Sequence, residues 1–540
     1  MITLVAATVA DSDAVRTVYR NGRVYAAEAT QASAFVVEDG VIVWIGDDLS
    51  LGTGTARDTV TDLRGAFVTP AFVDAHVHMT DTGLALTGVD LTGVGSLTAA
   101  LDVLERAARS RRGRPILGAG WDETGWPEQR PPTAAELDRA SYGGAVYLAR
   151  VDAHSAVISS SLAAAVPRLR ELPGYRPDGW VSRDAHDAAR TTAFATLSAA
   201  DTRAAQRAGL QLAASMGIAA VHEMAGPAIS SEADLAGLLA LAAEEPLPQV
   251  FGYWGELFAI ATAKELGAVG AAGDLFCDGS LGSHTAAVNQ PYADRPDSTG
   301  SLRFATGDVA EHIAQCTEAG LQAGFHAIGD AAVDQVLDAV DIVTARLGRV
   351  GGAGHRIEHA EMVRDPARLA ASGLLASMQP AFDAEWGGDD GMYAQRLGAD
   401  RARGLNRFAD LAAAGVPLAF GSDTPVTVVD PWAGVRAAAY LHDRSASISP
   451  RAAFTAHTRA GWRAVGHHQD GVLTPGAPAT FAVWQAGPTA VDAPDERVAR
   501  WSTDPRAAVP GLPDVSPGAE LPRCLLTVLR GVTIFDGDSL

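Results

Sequence analysis

FVDAHVHM, Phe72 to Met79, ends an apolar run with two histidines one residue apart. The longer stretch GAFVTPAFVDAHVHM is rich in Val, Phe and Ala and carries a proline. It is too short and too interrupted for an amphipathic helix, and reads as a buried strand. Alternate side chains on a strand share a face, so Asp74, His76 and His78 point the same way, inward. A lone buried histidine is ordinarily a hydrogen-bonded core residue. Two crowded on one face are costly to bury unless something binds both, and neutral imidazole is a good ligand for zinc and similar metals. His-x-His at a strand end is therefore a candidate chelate, and it needs partners from elsewhere in the chain.

The surroundings suggest where those partners come from. Ala/Leu-rich helical segments alternate with short apolar strands: GRPILGAGW, AVYLARVDAH, GIAAVHEM, QVFGYWGE, GFHAIGD, HRIEHAEM, LLASMQP and VPLAFGSD. Such alternation predicts parallel βαβ units, and about eight of them fit a (β/α)8 TIM-type barrel. With FVDAHVHM there are more strand candidates than eight, so one or two belong to an insertion, placed at about residues 120–215. Both chain ends read differently. TVYRNGRVYAAE, SAFVVEDGVIVWIG and DTVTDLRGAFVTP near the start, and ATFAVWQAG and RCLLTVLRGVTIFDG near the end, are strands joined by Gly and Asp turns. They predict a small β-sandwich from residues 1–66 plus 470–540, beside a barrel spanning 67–469.

Composition narrows the class. A chain of 540 residues with 47% hydrophobic content affords a large enzyme domain plus an accessory one. The formal net charge of −22 argues against sequence-independent nucleic-acid binding and against anionic membrane surfaces. Cys277, Cys316 and Cys524 are scattered, which predicts no disulfide framework and a reducing, cytoplasmic setting. MITLVAATVADSD at the start has no basic segment ahead of its apolar stretch, so no signal peptide is expected. No apolar run is long enough to span a membrane.

In a barrel of this kind, ligands and catalytic groups sit at the C-terminal ends of the strands. The strand ends supply His76 and His78, then His326 in GFHAIGD, His359 in HRIEHAEM and Asp423 in LAFGSDTP. Each follows a short apolar run and precedes a turn or helix. Five such residues in this order are hard to explain as core histidines and a stray carboxylate.

These motifs resemble the amidohydrolase superfamily, in particular its amidohydrolase-3 branch of YtcJ-like proteins and N-substituted formamide deformylases. FVDAHVHM, GWDETGWPE, RVDAHSAVI, CDGSLGSHTAA, HAIGDAAVDQVLDA, RIEHAEM, SMQP, FGSDTPV and the tail AGWRAVGHHQDGVLTPGAPATFAVW carry the likeness over nearly the whole chain. The resemblance implies a metal-dependent hydrolase of non-peptide C–N bonds in a small molecule, with barrels of this kind often pairing as homodimers. It implies metal ligation by His76, His78, His326, His359 and Asp423. Asp423, beside His359 as the candidate catalytic pair, would also shuttle a proton. That chemistry stands without the family: a metal lowers the pKa of bound water and polarises a carbonyl, and a carboxylate touching that water moves its proton to the leaving nitrogen. His/Asp donors suit Zn, with Fe, Mn or Co also compatible. Hydrolysis of a C–O bond, and a binding protein that kept the fold without catalysis, are the alternatives.

One position departs from the family pattern. Relatives often read KLFADGSLGSRTA, with a carboxylated lysine bridging two metals. This chain reads DLFCDGSLGSHTAA, so Asp274 stands at the lysine position and His284 at the arginine. Lys264, the only lysine, lies ten residues earlier in a helical segment. An aspartate is shorter than a carboxylated lysine, so Asp274 is expected to fall short unless the backbone moves in, and one metal is favoured over two. Glu223 is the other bridge candidate. Around the mouth, Trp121, Glu123, His154, Glu223, Asp278 and Trp386 are the expected substrate contacts. Cys277 reads as a small buried hydrophobe, and Arg356 and Asp330 as groups that orient ligands.

Overall fold

Phe72–Val77 is the first of eight parallel strands in one sheet of the computed structural model: β1 (Phe72–Val77), β2 (Ile218–Ala225), β3 (Gln249–Trp254), β4 (Gly270–Ala271), β5 (Gln322–Ala327), β6 (Arg356–His359), β7 (Leu375–Met378) and β8 (Leu418–Phe420). The structure describes residues 16–27, 29, 31–51, 59–111, 115–348, 350, 354–490 and 511–537. The apolar stretch at residues 1–13 lies outside them. Each strand pairs in parallel with the next in chain order. A parallel bridge from Val77 to Thr424 joins β1 to the segment after β8 and closes the ring at its C-terminal rim. Every residue of β1, β2, β5 and β6 is buried, as expected for parallel strands covered by helices outside and packed side chains inside.

GRPILGAGW and AVYLARVDAH are strands of a separate sheet inserted between β1 and β2. Its order is Trp180–Ser182, Ser155–Ile158, Val146–Arg150, Ile116–Trp121, Val89–Asp90. The excursion thus begins at Val89, ahead of residue 120, because a two-residue edge strand leaves no periodicity to read. The helix Ala199–Ser215, at the far end of the expected insertion, packs on the helix Met79–Thr87 that follows β1.

The chain ends form two larger sheets besides the two-stranded pair Thr489–Ala490 with Leu512–Pro513. One has the order Val41–Gly46, Ala34–Glu38, Arg16–Arg20, Thr59–Asp62. The other interleaves both ends, in the order Arg23–Val24, Phe67–Pro70, Phe481–Gln485, Arg523–Leu529, Val532–Asp536. Tyr19, Phe35, Val37, Ile42, Val68, Phe481 and Val483 share one apolar core between them, with Tyr19 stacked on Phe35 at 4.7 Å between ring centroids. Phe67–Pro70 runs directly into β1, so this sandwich anchors the strand that carries the His-x-His pair. Among the described residues no helix is long and apolar enough to cross a membrane.

His457 illustrates the cost of a polar group in this core. It is buried between Phe72 and Phe420, and neither ring nitrogen makes a hydrogen bond. Burial pushes its pKa down to about 3. The folded state keeps it neutral while the unfolded chain takes up a proton below pH 6.5, so stability falls as the pH drops through that value. The loss from this one residue is about 2 kcal/mol by pH 5. His457→Phe is expected to flatten the fall in stability between pH 7 and pH 5 by that amount, measured by urea unfolding at each pH.

Candidate metal centre

Six side chains from five strand ends converge on the barrel axis. His76 and His78 come from β1 and its exit, His326 and His359 from the ends of β5 and β6, Asp274 and Asp423 from three residues beyond β4 and β8. Asp274 stands in the middle. Its Oδ2 lies 3.5 Å from His76 Nε2 and 3.1 Å from His78 Nε2. Its Oδ1 lies 3.4 Å from His326 Nδ1 and 3.5 Å from His359 Nε2. Asp423 Oδ1 closes the cluster, 3.4 Å from His76 Nε2 and 3.1 Å from His78 Nε2. The expectation that Asp274 falls short of the histidines is overturned, and the backbone explains why. Gly273 turns in the left-handed region at φ +96°, and Gly255, just past β3, lies so close that a Cβ there would sit 3.0 Å from the Asp274 carbonyl carbon. The segment after β4 is thereby pressed toward the axis, and a short side chain suffices.

The outer nitrogen of each imidazole is occupied. His76 Nδ1 faces Glu358 Oε2 at 3.0 Å, His78 Nδ1 the Met224 carbonyl at 3.0 Å, His326 Nε2 the Gly279 carbonyl at 3.3 Å and His359 Nδ1 the Gln379 Oε1 at 2.9 Å. All four partners are acceptors, and the inner nitrogen of each ring faces the carboxylates of the cluster. His359 and Asp423 also hold left-handed backbones, φ 69° and 56°. Such strain at non-glycine residues costs about 1–3 kcal/mol each and is retained where the surroundings force it. Here the Asp423 N–H donates to the His76 carbonyl at 2.8 Å, and the Ser422 N–H to Asp74 at 2.8 Å.

The cluster's charge is balanced internally. Burial opposes a charge on His76, but the carboxylates of Asp274 and Asp423 hold its pKa up at about 10. Burial likewise opposes the Asp274 carboxylate, and the surrounding imidazoles keep it well below the usual carboxylate range. His326 is pushed down to about 4 by burial and by neighbouring His359. Behind His76, Arg356 is buried and donates to Glu358, to the Ala75 carbonyl and to Tyr253, which holds Glu358 down at about 2 against its own burial. His76 Nε2 and Asp423 Oδ1 are both buried without a hydrogen bond. Buried polar atoms left without a partner are costly unless a cation uses them, so the donor set fits a His/Asp-bound metal.

The model of the amidohydrolase family matches residues 59–535. The chain belongs to the amidohydrolase family. It is similar to the putative amidohydrolase YtcJ of Bacillus subtilis (strain 168), 27% identical over 78% of this chain and 83% of the relative. It is similar too to the N-substituted formamide deformylase of Arthrobacter pascens, 24% identical over 68% and 73%. Among solved structures, an uncharacterized metal-dependent hydrolase from Pyrococcus furiosus superposes with a TM-score of 0.67 at 28% identity, covering 87% of this chain and 98% of that one. The fold of this amidohydrolase is that of a metal-dependent hydrolase.

One cavity at the cluster is walled by Phe382, Trp386, Met392, Tyr393 and Leu281. Another is lined by His186, Asp187 and Arg190 of the insertion's helix Arg183–Phe194, with Arg303 and Asp81. His154, His326, His359 and Asp423 border both. His154 and Trp386, expected at the mouth, are thus at it: the His154 ring lies 5.1 Å from that of His326, and Trp386 packs on Phe382 at 4.9 Å.

Four expected substrate contacts lie elsewhere. Trp121 is fully buried in the inserted sheet, where its indole N–H donates to the Leu148 carbonyl. Glu123 pairs with Arg150, bracing that guanidinium from behind. Glu223 accepts the Met79 N–H at 2.8 Å and so caps the helix after β1. Asp278 spends both oxygens on the backbone N–H groups of Ala287, Ile328 and Gly329, shaping the loop rather than facing the pocket. Asp330 tethers the Asn289 N–H instead of orienting a ligand. Arg356 reaches His76 through Glu358. Cys277 is buried, and His284 sits outside the cluster, 3.0 Å from Asp294.

Glu358, Gln379 and Phe382 went unread in the sequence. RIEH carried a signal for the first, since Arg356 and Glu358 two apart on a strand share a face. Phe382 and Trp386, four apart on the helix Pro380–Trp386, had the spacing of one helix face.

Proposed function

We propose that this amidohydrolase cleaves an amide-type C–N bond, other than a peptide bond, in a small molecule bearing an aromatic or apolar group. The observation that carries this reading is the placement of Asp423. Its carboxylate touches His76 and His78 and borders both cavities, so it reaches the metal centre and the substrate space at once. His76, His78, His326, His359 and Asp423 are the metal donors, and zinc is the metal this set suits first. When bound there, the metal polarises the scissile carbonyl and makes a water acidic enough to attack near neutral pH. Asp423 takes the attacking water's proton and delivers it to the leaving nitrogen. His154, beside His326 at the cavity wall, donates to the oxygen that gains charge. The Phe382–Trp386–Tyr393 wall takes the apolar group, while Arg190 and Arg303, each paired with an aspartate, line the polar side. The likeness to an N-substituted formamide deformylase supports an amide over an ester.

The test is a chelator-stripped enzyme reloaded with Zn, Mn, Fe(II) or Co and offered N-formyl and N-acyl arylamines beside the matched aryl esters. Amide hydrolysis that returns only with metal is the expected result, and turnover confined to the esters contradicts it. On the best amide, Trp386→Ala is expected to raise KM about tenfold and leave kcat nearly unchanged.

A further inference from the structure

Asp274 is the one member of the cluster that touches all four histidines, and the way its oxygens are shared is the informative feature. Oδ2 faces the two imidazoles of β1 and Oδ1 the two imidazoles of β5 and β6. We propose that Asp274 bridges two cations, one held with His76 and His78 and the other with His326 and His359, so that this chain assembles a metal pair without a carboxylated lysine. The proposal rests on the metal-dependent reading above and deepens it.

Three features converge on this arrangement. The separations are those of shared ligation: with metal–ligand distances of about 2.1 Å, N···O gaps of 3.1–3.5 Å correspond to ligand–metal–ligand angles of about 95–115°. The same gaps are long for charge-assisted hydrogen bonds, which run at about 2.7–2.9 Å. The orientation of the rings agrees, since each outer nitrogen has an acceptor in reach and all four inner nitrogens face the one Asp274 carboxylate. The third feature is the lysine. Lys264, the only one in the chain, is exposed on the helix Ile260–Glu265 and takes no part in the cluster. A bridge, where there is one, comes from a residue that needs no carbon dioxide to make it.

The experiment counts metal rather than turnover. Apoprotein is reloaded with Zn in buffer stripped of carbon dioxide and bicarbonate, desalted, and analysed for metal per chain, with Asp274→Ala and Asp274→Asn treated alike. The expected result is about two metals for the natural chain, unchanged by added bicarbonate, and one or fewer for both variants. Loaded with Mn(II), the natural chain is expected to give the EPR spectrum of an exchange-coupled pair and the variants that of isolated ions. One metal in the natural chain, a second metal only with bicarbonate, or a coupled pair that survives in Asp274→Asn each overturns the bridge and leaves the metal-dependent hydrolase standing. No metal under any condition overturns both. Circular dichroism establishes that the variants fold, and if they do not, the count and the Mn(II) spectrum of the natural chain decide alone.

Discussion

Asp423→Asn is expected to lower kcat/KM by about a thousandfold on the best amide substrate. The amide side chain keeps the size of the carboxylate and one oxygen for the cluster, but it has no basic site to receive a proton. The natural Asp423 is held below the usual carboxylate range by the imidazoles around it, against its burial, and so stays charged through the neutral range. Metal content measured on the same sample separates its two roles. A rate loss far larger than the metal loss identifies the proton transfer. A rate that falls only in proportion to metal reduces Asp423 to a ligand.

Glu358→Gln is expected to cost about 3–5 kcal/mol of stability and to weaken metal binding about 10- to 100-fold. Glu358 touches neither the cavities nor Asp274. It joins the buried Arg356 to His76 Nδ1, and its loss leaves a guanidinium uncompensated and the imidazole free to turn. The pH dependence carries the same signature. The Glu358 carboxyl titrates at about 2 in the fold and near 4.5 when exposed, so its contribution is complete above pH 4.5 and is lost as the pH falls toward 2. Acid unfolding of Glu358→Gln is expected to lack that component. Urea unfolding between pH 3 and 7, with a metal titration at pH 7, checks both effects.

The barrel and the four histidines were legible because they depend on local pattern. Apolar runs ending in histidine mark strand ends, and strand alternation puts His76 and His78 on one face. Asp274 was legible as a residue but not as a centre. Its reach is decided by Gly273's left-handed turn and by the closeness of Gly255, and no spacing along the chain reports how near two backbones pass. The tryptophans show the same limit. Trp121 and Trp386 look alike in sequence, but one ends a strand of the inserted sheet and is sealed inside it, and the other ends a helix that faces the cavity. Asp278 and Glu223 were misread because backbone N–H groups, which carry no sequence signal, claim their carboxylates.

The account's central claim is that the His/Asp cluster at the barrel mouth holds the catalytic metal. Crystals of the metal-loaded protein, measured on both sides of the zinc absorption edge, test it most directly. The account predicts anomalous density among His76 Nε2, His78 Nε2, Asp274 and Asp423, absent from a His76→Ala/His78→Ala variant. Density elsewhere in the molecule, or a cluster that stays empty in protein loaded to saturation, would contradict it.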